Sequence, residues 1–190
     1  MQSMSRVKRA CIGAVCIALC YVLPLAFHAV GAGSAFSPMH IPVLLCGLIC
    51  GGSYGFICGL IGPVLSSVLS GMPPATMLIS MIPELCTYGL LTGLLMRFVR
   101  TGKVTADLYI ALVAAMLAGR IVGGIAKALF YLGQSGTYSL SLWAGSYLVG
   151  SVPAIISHLI FVPLLVLVLT KVGLIPSRYP AAQKGTLPCE

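Results

Sequence analysis

The chain has 190 residues, of which 59% are hydrophobic and only 7% charged, with a mean hydropathy of +1.08. A soluble domain carries roughly 25% charged residues, so the composition excludes soluble classes and leaves a bilayer-embedded protein. The net charge of +8 does not indicate nucleic acid, because the cations gather at membrane boundaries: Arg6, Lys8 and Arg9 before the first apolar run, Arg97, Arg100 and Lys103 in one loop, and Lys171, Arg178 and Lys184 after the last run.

A bilayer-spanning helix needs about 20 mainly apolar residues. Val7–Val30 supplies the first. Its end, Ala29-Val30-Gly31-Ala32, imitates a signal-peptide cleavage site. The apolar stretch from Ala10 to Ala29 exceeds the usual h-region of about 7–15 residues, so a retained helix is expected. Gly31–Met39 reads as a polar, Gly-rich loop. Ile41–Cys50 is apolar but too short to span alone, so it is either a crossing that recruits Phe36–His40 or a thin, distorted one. After the turn Gly51-Gly52-Ser53 comes Tyr54–Leu69, and after Gly71-Met72-Pro73-Pro74 come Thr76–Val99, Ala106–Leu132 and Leu142–Lys171.

This pattern predicts an all-α membrane protein, a bundle of six transmembrane helices with N and C termini cytoplasmic. Residues 1–176 form one domain, and 177–190 a short polar tail. The charge map agrees. Six passes starting inside place Gly31–Met39, Gly71–Ala75 and Gly133–Ser141 outside, and none of those loops contains Lys or Arg. The Arg97–Lys103 loop then lies inside, where cationic loops are retained. Prolines Pro24, Pro63, Pro83, Pro153 and Pro163 fall within the segments and can kink them, as a ligand cavity or ordinary irregularity would allow.

Charge within apolar segments marks the candidate site. Glu84, Arg120 and Lys127 each lie in such a segment, where an ionised group costs about 2.5–3.5 kcal/mol on insertion scales. Arg120 and Lys127 are seven apart and share a helix face. A Glu84–Arg120 ion pair is possible, with Lys127 snorkelling to the outer interface. The functional alternative is a polar cavity open to the outside that attracts an anionic or strongly polar solute. Ser37, His40, Tyr131, Gln134, Tyr138, Trp143 and Tyr147 form a polar and aromatic rim at the same side, either an interfacial belt or part of the ligand site. His28 and His158 are lone histidines for which a hydrogen bond facing the bundle is expected.

Small residues supply two further patterns. Gly47, Gly51, Gly55 and Gly59 recur every fourth position, which suits close packing of the second and third segments against their neighbours or a docking face. Ala10, Ala14 and Ala18 line one face of the first segment. Seven of the eight cysteines (Cys11, Cys16, Cys20, Cys46, Cys50, Cys58, Cys86) lie in apolar stretches, where free Cys acts as a small hydrophobe. With no CxxC, HExxH or P-loop motif in the chain, neither a metal site, a cofactor nor an enzymatic activity is expected.

Six segments in about 190 residues, the Ala10-xxx-Ala14-xxx-Ala18 face, the Gly-rich loop before His40-Ile41-Pro42, the glycine-rich Cys46–Pro63 stretch, Glu84 and Gly119-Arg120 together carry a resemblance. The chain resembles the substrate-binding S component of energy-coupling factor (ECF) vitamin transporters over nearly its whole length. The resemblance implies a subunit of the bacterial inner membrane that binds a vitamin or precursor at an outward-facing site, with the loop after the first helix as its lid. It implies docking through Ala10, Ala14 and Ala18 onto a transmembrane coupling subunit, with two cytoplasmic ATPases driving release. Substrate-binding residues are then expected among Arg120, Glu84, Lys127, His40, Ser37 and Tyr131. The cationic excess in the membrane favours a carboxylate such as pantothenate, with neutral precursors as alternatives. A stand-alone secondary transporter, which usually shows an inverted repeat, and a scaffold subunit whose cations meet lipid headgroups are the rival classes.

Overall fold

The computed structural model describes residues 4–29, 31, 37–133, 145 and 152–175. Those residues form six α-helices and no strand: α1 Arg6–Ala29, α2 His40–Cys50, α3 Gly52–Ser70, α4 Ala75–Phe98, α5 Val104–Gly133 and α6 Val152–Lys171. Five of them, all but α2, are long and apolar enough to cross a membrane. The part of the last expected segment that precedes Val152, and the tail 177–190, lie outside the described residues apart from Gly145.

At 1.5 Å per residue, the 11 residues of α2 cover about 16 Å, roughly half of a hydrocarbon core about 30 Å thick. The second segment is therefore a short helix that starts at His40 and does not extend back over Ser37–Met39, which form a turn. Short as it is, α2 is the core of the molecule. Pro42, Val43, Leu44, Leu45, Cys46 and Gly47 are all buried, and α1, α3, α4 and α6 all pack on it.

The chain reverses between α2 and α3 at Gly51, whose φ of 100° is accessible chiefly to glycine. The reversal lays Gly55 against Gly47, and both against α4. A Cβ on Gly55 would stand 2.7 Å from Gly47 Cα, one on Gly47 would stand 2.5 Å from Gly89 O, and one on Gly59 2.5 Å from Leu85 O. On the α4 side, a Cβ on Gly93 would stand 2.5 Å from Gly51 C. The four-residue glycine pattern thus serves internal packing, with backbones in direct contact, and is not left over as a docking face.

Buried Cys16, Cys20, Cys46, Cys50 and Cys58 join the apolar core where α1, α2 and α3 meet. Cys11 instead is exposed. Around this centre α4 packs on α2, α3 and α5, α1 on α2 and α3, and α6 on α2 and α5. The cationic loop between α4 and α5 is ordered by Asp107, a fully buried residue. Its Oδ1 accepts hydrogen bonds from Thr101 N at 2.8 Å and Thr101 Oγ1 at 2.7 Å.

Candidate functional site

Three helices bring polar side chains together at one depth, against the backbone of a fourth, α5. Glu84 lies about 14 Å along α4 from Ala75, and Gly123 about 15 Å along α5 from Gly133. α2 begins at this level with His40, and α6 contributes His158. Each contribution comes from the half of its helix nearest the loops free of Lys and Arg.

Glu84 is the centre of the cluster and is 7% exposed. Its Oε1 accepts a 2.6 Å hydrogen bond from the Tyr88 hydroxyl, one helical turn along α4 on the same face. His40 Nε2 stands 3.8 Å from the same oxygen, inside ion-pair range and beyond a direct hydrogen bond. The His40 ring also contacts Tyr88, with centroids 5.4 Å apart, and stacks on His158 at 5.5 Å and 22°.

Both histidines turn towards one backbone oxygen. His40 Nδ1 lies 3.1 Å and His158 Nε2 3.4 Å from Ser37 O. A carbonyl can only accept, so each of these ring nitrogens carries a hydrogen. With Nδ1 as the donor to Ser37 O, Nε2 is the ring nitrogen that faces Glu84. Ser37 holds φ 44°, the only positive φ of a non-glycine residue among those described. That conformation costs about 1–2 kcal/mol for an L-residue, which the two charge-capable donors on its carbonyl help to offset.

Room for this arrangement comes from α5. A Cβ on Gly119 would strike the Tyr88 ring and stand 3.1 Å from Glu84 O, and one on Gly123 would lie 2.9 Å from both Glu84 Cβ and Glu84 Oε2. The absence of side chains at these two positions lets the Glu84–Tyr88 face lie directly on the α5 backbone.

Of the sequence-derived candidates, the structure brings Glu84, His40 and the Ser37 carbonyl together. Arg120 follows Gly119 on α5 and is buried, at 6% exposure. The described hydrogen-bond and ion-pair partners of Glu84 are Tyr88 and His40, so the anticipated Glu84–Arg120 ion pair is not what holds the carboxylate. Lys127 is half-buried two turns beyond Arg120, and Tyr131, one turn further, is 42% exposed with its ring edge-on to Phe130. Gln134, Tyr138, Trp143 and Tyr147 lie outside the described residues. His158 does make an inward hydrogen bond, whereas His28 is exposed near the end of α1. Sequence reasoning alone does not single out Tyr88, Gly123 or His158 as site residues. Only Tyr88 had a local signal, its four-residue spacing from Glu84. Among the described residues, no group of three or more His, Cys, Asp or Glu side chains is placed to hold a metal ion.

Ala10, Ala14 and Ala18 are all exposed on α1, on a face also carrying exposed Val7, Val15, Val22 and Leu25. Among the described residues, no helix covers that face. A family model described as the substrate-specific component of ECF transporters matches residues 8–170. Comparison with curated proteins and with solved structures found no match. The matched region runs from the start of α1 to the end of α6 and contains the whole polar cluster. The chain belongs to the substrate-specific component family of ECF transporters and is a membrane-embedded, substrate-binding transport subunit.

Proposed function

We propose that this subunit captures a vitamin or vitamin precursor from outside the cell and delivers it to an ATP-driven module made of a transmembrane coupling subunit and two cytoplasmic ATPases. The observation that carries this reading is the buried Glu84–Tyr88–His40–His158 cluster in the half of the bundle away from the cationic loop. Polar groups at membrane depth are costly and are retained for a ligand or an ion path. The loops nearest the cluster lack Lys and Arg, which supports an outward-facing site and cytoplasmic termini in a bacterial inner membrane.

Within the site Glu84 and His40 bind the polar part of the substrate, and the Ser37 carbonyl positions the two histidines. Arg120 supplies the cation for a substrate carboxylate, pantothenate being a candidate, while Lys127 and Tyr131 line the approach. Docking uses Ala10, Ala14 and Ala18, whose exposure and small size let a partner helix come close. The chain has no P-loop, so ATP hydrolysis falls to the partners.

Uptake in a host without an endogenous ECF system tests the reading. Cells producing the chain with a coupling subunit and two ATPases should accumulate a labelled vitamin. Cells producing it with ATPases inactivated in their P-loops should bind but not accumulate it. Equal accumulation in both would establish a stand-alone transporter instead.

A further inference from the structure

The two oxygens of Glu84 are not equivalent. Oε1 takes the Tyr88 hydroxyl at 2.6 Å and faces His40 Nε2 at 3.8 Å. Among the described residues Oε2 accepts no hydrogen bond, although Glu84 is 7% exposed. Oε2 lies at the seam with α5, where a Gly123 Cβ would stand 2.9 Å away. A carboxylate oxygen is a strong acceptor, and Oε2 keeps its lone pairs available at this seam. His40 does not supply a donor to Oε2, because its Nδ1 hydrogen is committed to Ser37 O at 3.1 Å and its Nε2 is directed to the Oε1 side.

We infer that Glu84 Oε2 is the specificity-determining acceptor for an N–H or O–H group of the substrate, held in place by Tyr88 on Oε1 and admitted by the missing side chain of Gly123. This rests on the substrate-capture reading above and deepens it. The substrate carries a hydrogen-bond donor for Glu84 whether or not it also carries an anionic group for Arg120. A purely accepting anion does not satisfy the site. Tyr88 and Gly123 act as positioning residues. The hydroxyl fixes which oxygen faces the ligand, and the glycine lets the carboxylate lie flat on α5.

Substitution by glutamine makes a directional test. The Tyr88 hydroxyl needs an acceptor, so the amide oxygen of Glu84→Gln takes the Oε1 place and its NH2 stands where Oε2 was. A donor then meets a donor. The purified full chain is titrated with thiamine, pyridoxine, 4-amino-5-hydroxymethyl-2-methylpyrimidine, pantothenate and nicotinate. The tightest binder is then compared with its analogue methylated at the N–H or O–H. The wild type is expected to prefer the unmethylated form, and Glu84→Gln to bind it roughly 10- to 100-fold more weakly and lose most of that preference. Gly123→Ala should reduce the same ratio, a change that a general loss of stability does not produce. Glu84→Asp keeps the charge, withdraws the oxygens, and should also reduce the ratio if Glu84→Gln does not fold.

An unchanged ratio in all three variants overturns the inference and leaves substrate capture standing. So does a wild type that binds nicotinate, whose anion has no N–H or O–H, more tightly than every donor-bearing probe. Binding of none of the probes, in a protein that also carries no small molecule through purification, removes substrate capture and the inference with it.

Discussion

The contact between α3 and α4 makes a quantitative prediction at Gly59. Placing a Cβ there puts it 2.5 Å from Leu85 O, 2.6 Å from Leu85 C and 2.8 Å from Cys86 N. All three are backbone atoms and cannot rotate away. Gly59→Ala therefore forces α4 to retreat until the closest approach reaches the roughly 3.4 Å of ordinary contact. Overpacking of this kind costs about 1–3 kcal/mol, offset in part by the intrinsic gain of about 1 kcal/mol for Gly→Ala in a helix. The atoms displaced belong to Leu85 and Cys86, the two residues after Glu84, so the site should suffer as well. Gly13→Ala is the control, since its Cβ would meet Tyr54 Cδ1 at 3.7 Å, an ordinary contact. Thermal unfolding of the purified protein, with ligand binding measured alongside, should show Gly59→Ala destabilised and weaker in binding, and Gly13→Ala equal to wild type or slightly more stable. A Gly59→Ala protein as stable as Gly13→Ala would refute the close backbone packing on which the site's placement rests.

Three further outcomes follow from the proposed function. Ala14→Leu or Ala18→Leu should cut uptake at least about tenfold while leaving substrate affinity and stability within about 0.5 kcal/mol of wild type, as expected for exposed positions; transport assays beside calorimetry check both halves. Arg120→Gln should weaken binding of a carboxylate-bearing substrate by roughly tenfold or more, the loss of one charge-assisted contact, with a smaller effect at Lys127→Gln; equal affinities would leave Arg120 a structural role. In a cysteine-free background, Gly102→Cys should react with membrane-impermeant maleimide only after the cytoplasmic face is opened, and labelling from outside would invert the topology.

The helices were legible because each long one is an apolar run ended by glycine, proline or charge; the boundaries of the first five segments shift by one or two residues in the structure, and the last ends at Lys171 as expected while its expected start at Leu142 lies outside the described residues. The length of α2 was harder to read. An 11-residue helix and a longer, partly polar crossing differ only in how Ser37–Met39 behave, and that is set by the Ser37 carbonyl meeting His40 and His158. Glu84 stood out because its charge is rare in such a chain. Its partners did not, except for Tyr88 at helical spacing. His158 lies 121 positions beyond Ser37, a distance across which one sequence carries no pairing signal. Opposite charge in neighbouring segments makes a Glu84–Arg120 pair possible and no more. The structure instead gives Oε1 a neutral hydroxyl from its own helix, which needs no second desolvated ion. The glycine pattern allowed either internal packing or docking, and only the placement of α4 resolves it in favour of packing.

Small molecules carried through purification of the solitary subunit give the most direct test of substrate capture. Denaturing extracts of the wild-type protein, analysed by mass spectrometry against extracts of the Glu84→Gln/Arg120→Gln double variant, should contain one polar, vitamin-sized compound near one per chain. The double variant should lack it. A wild-type protein that carries no such compound, and acquires none when vitamins are supplied, would contradict the account.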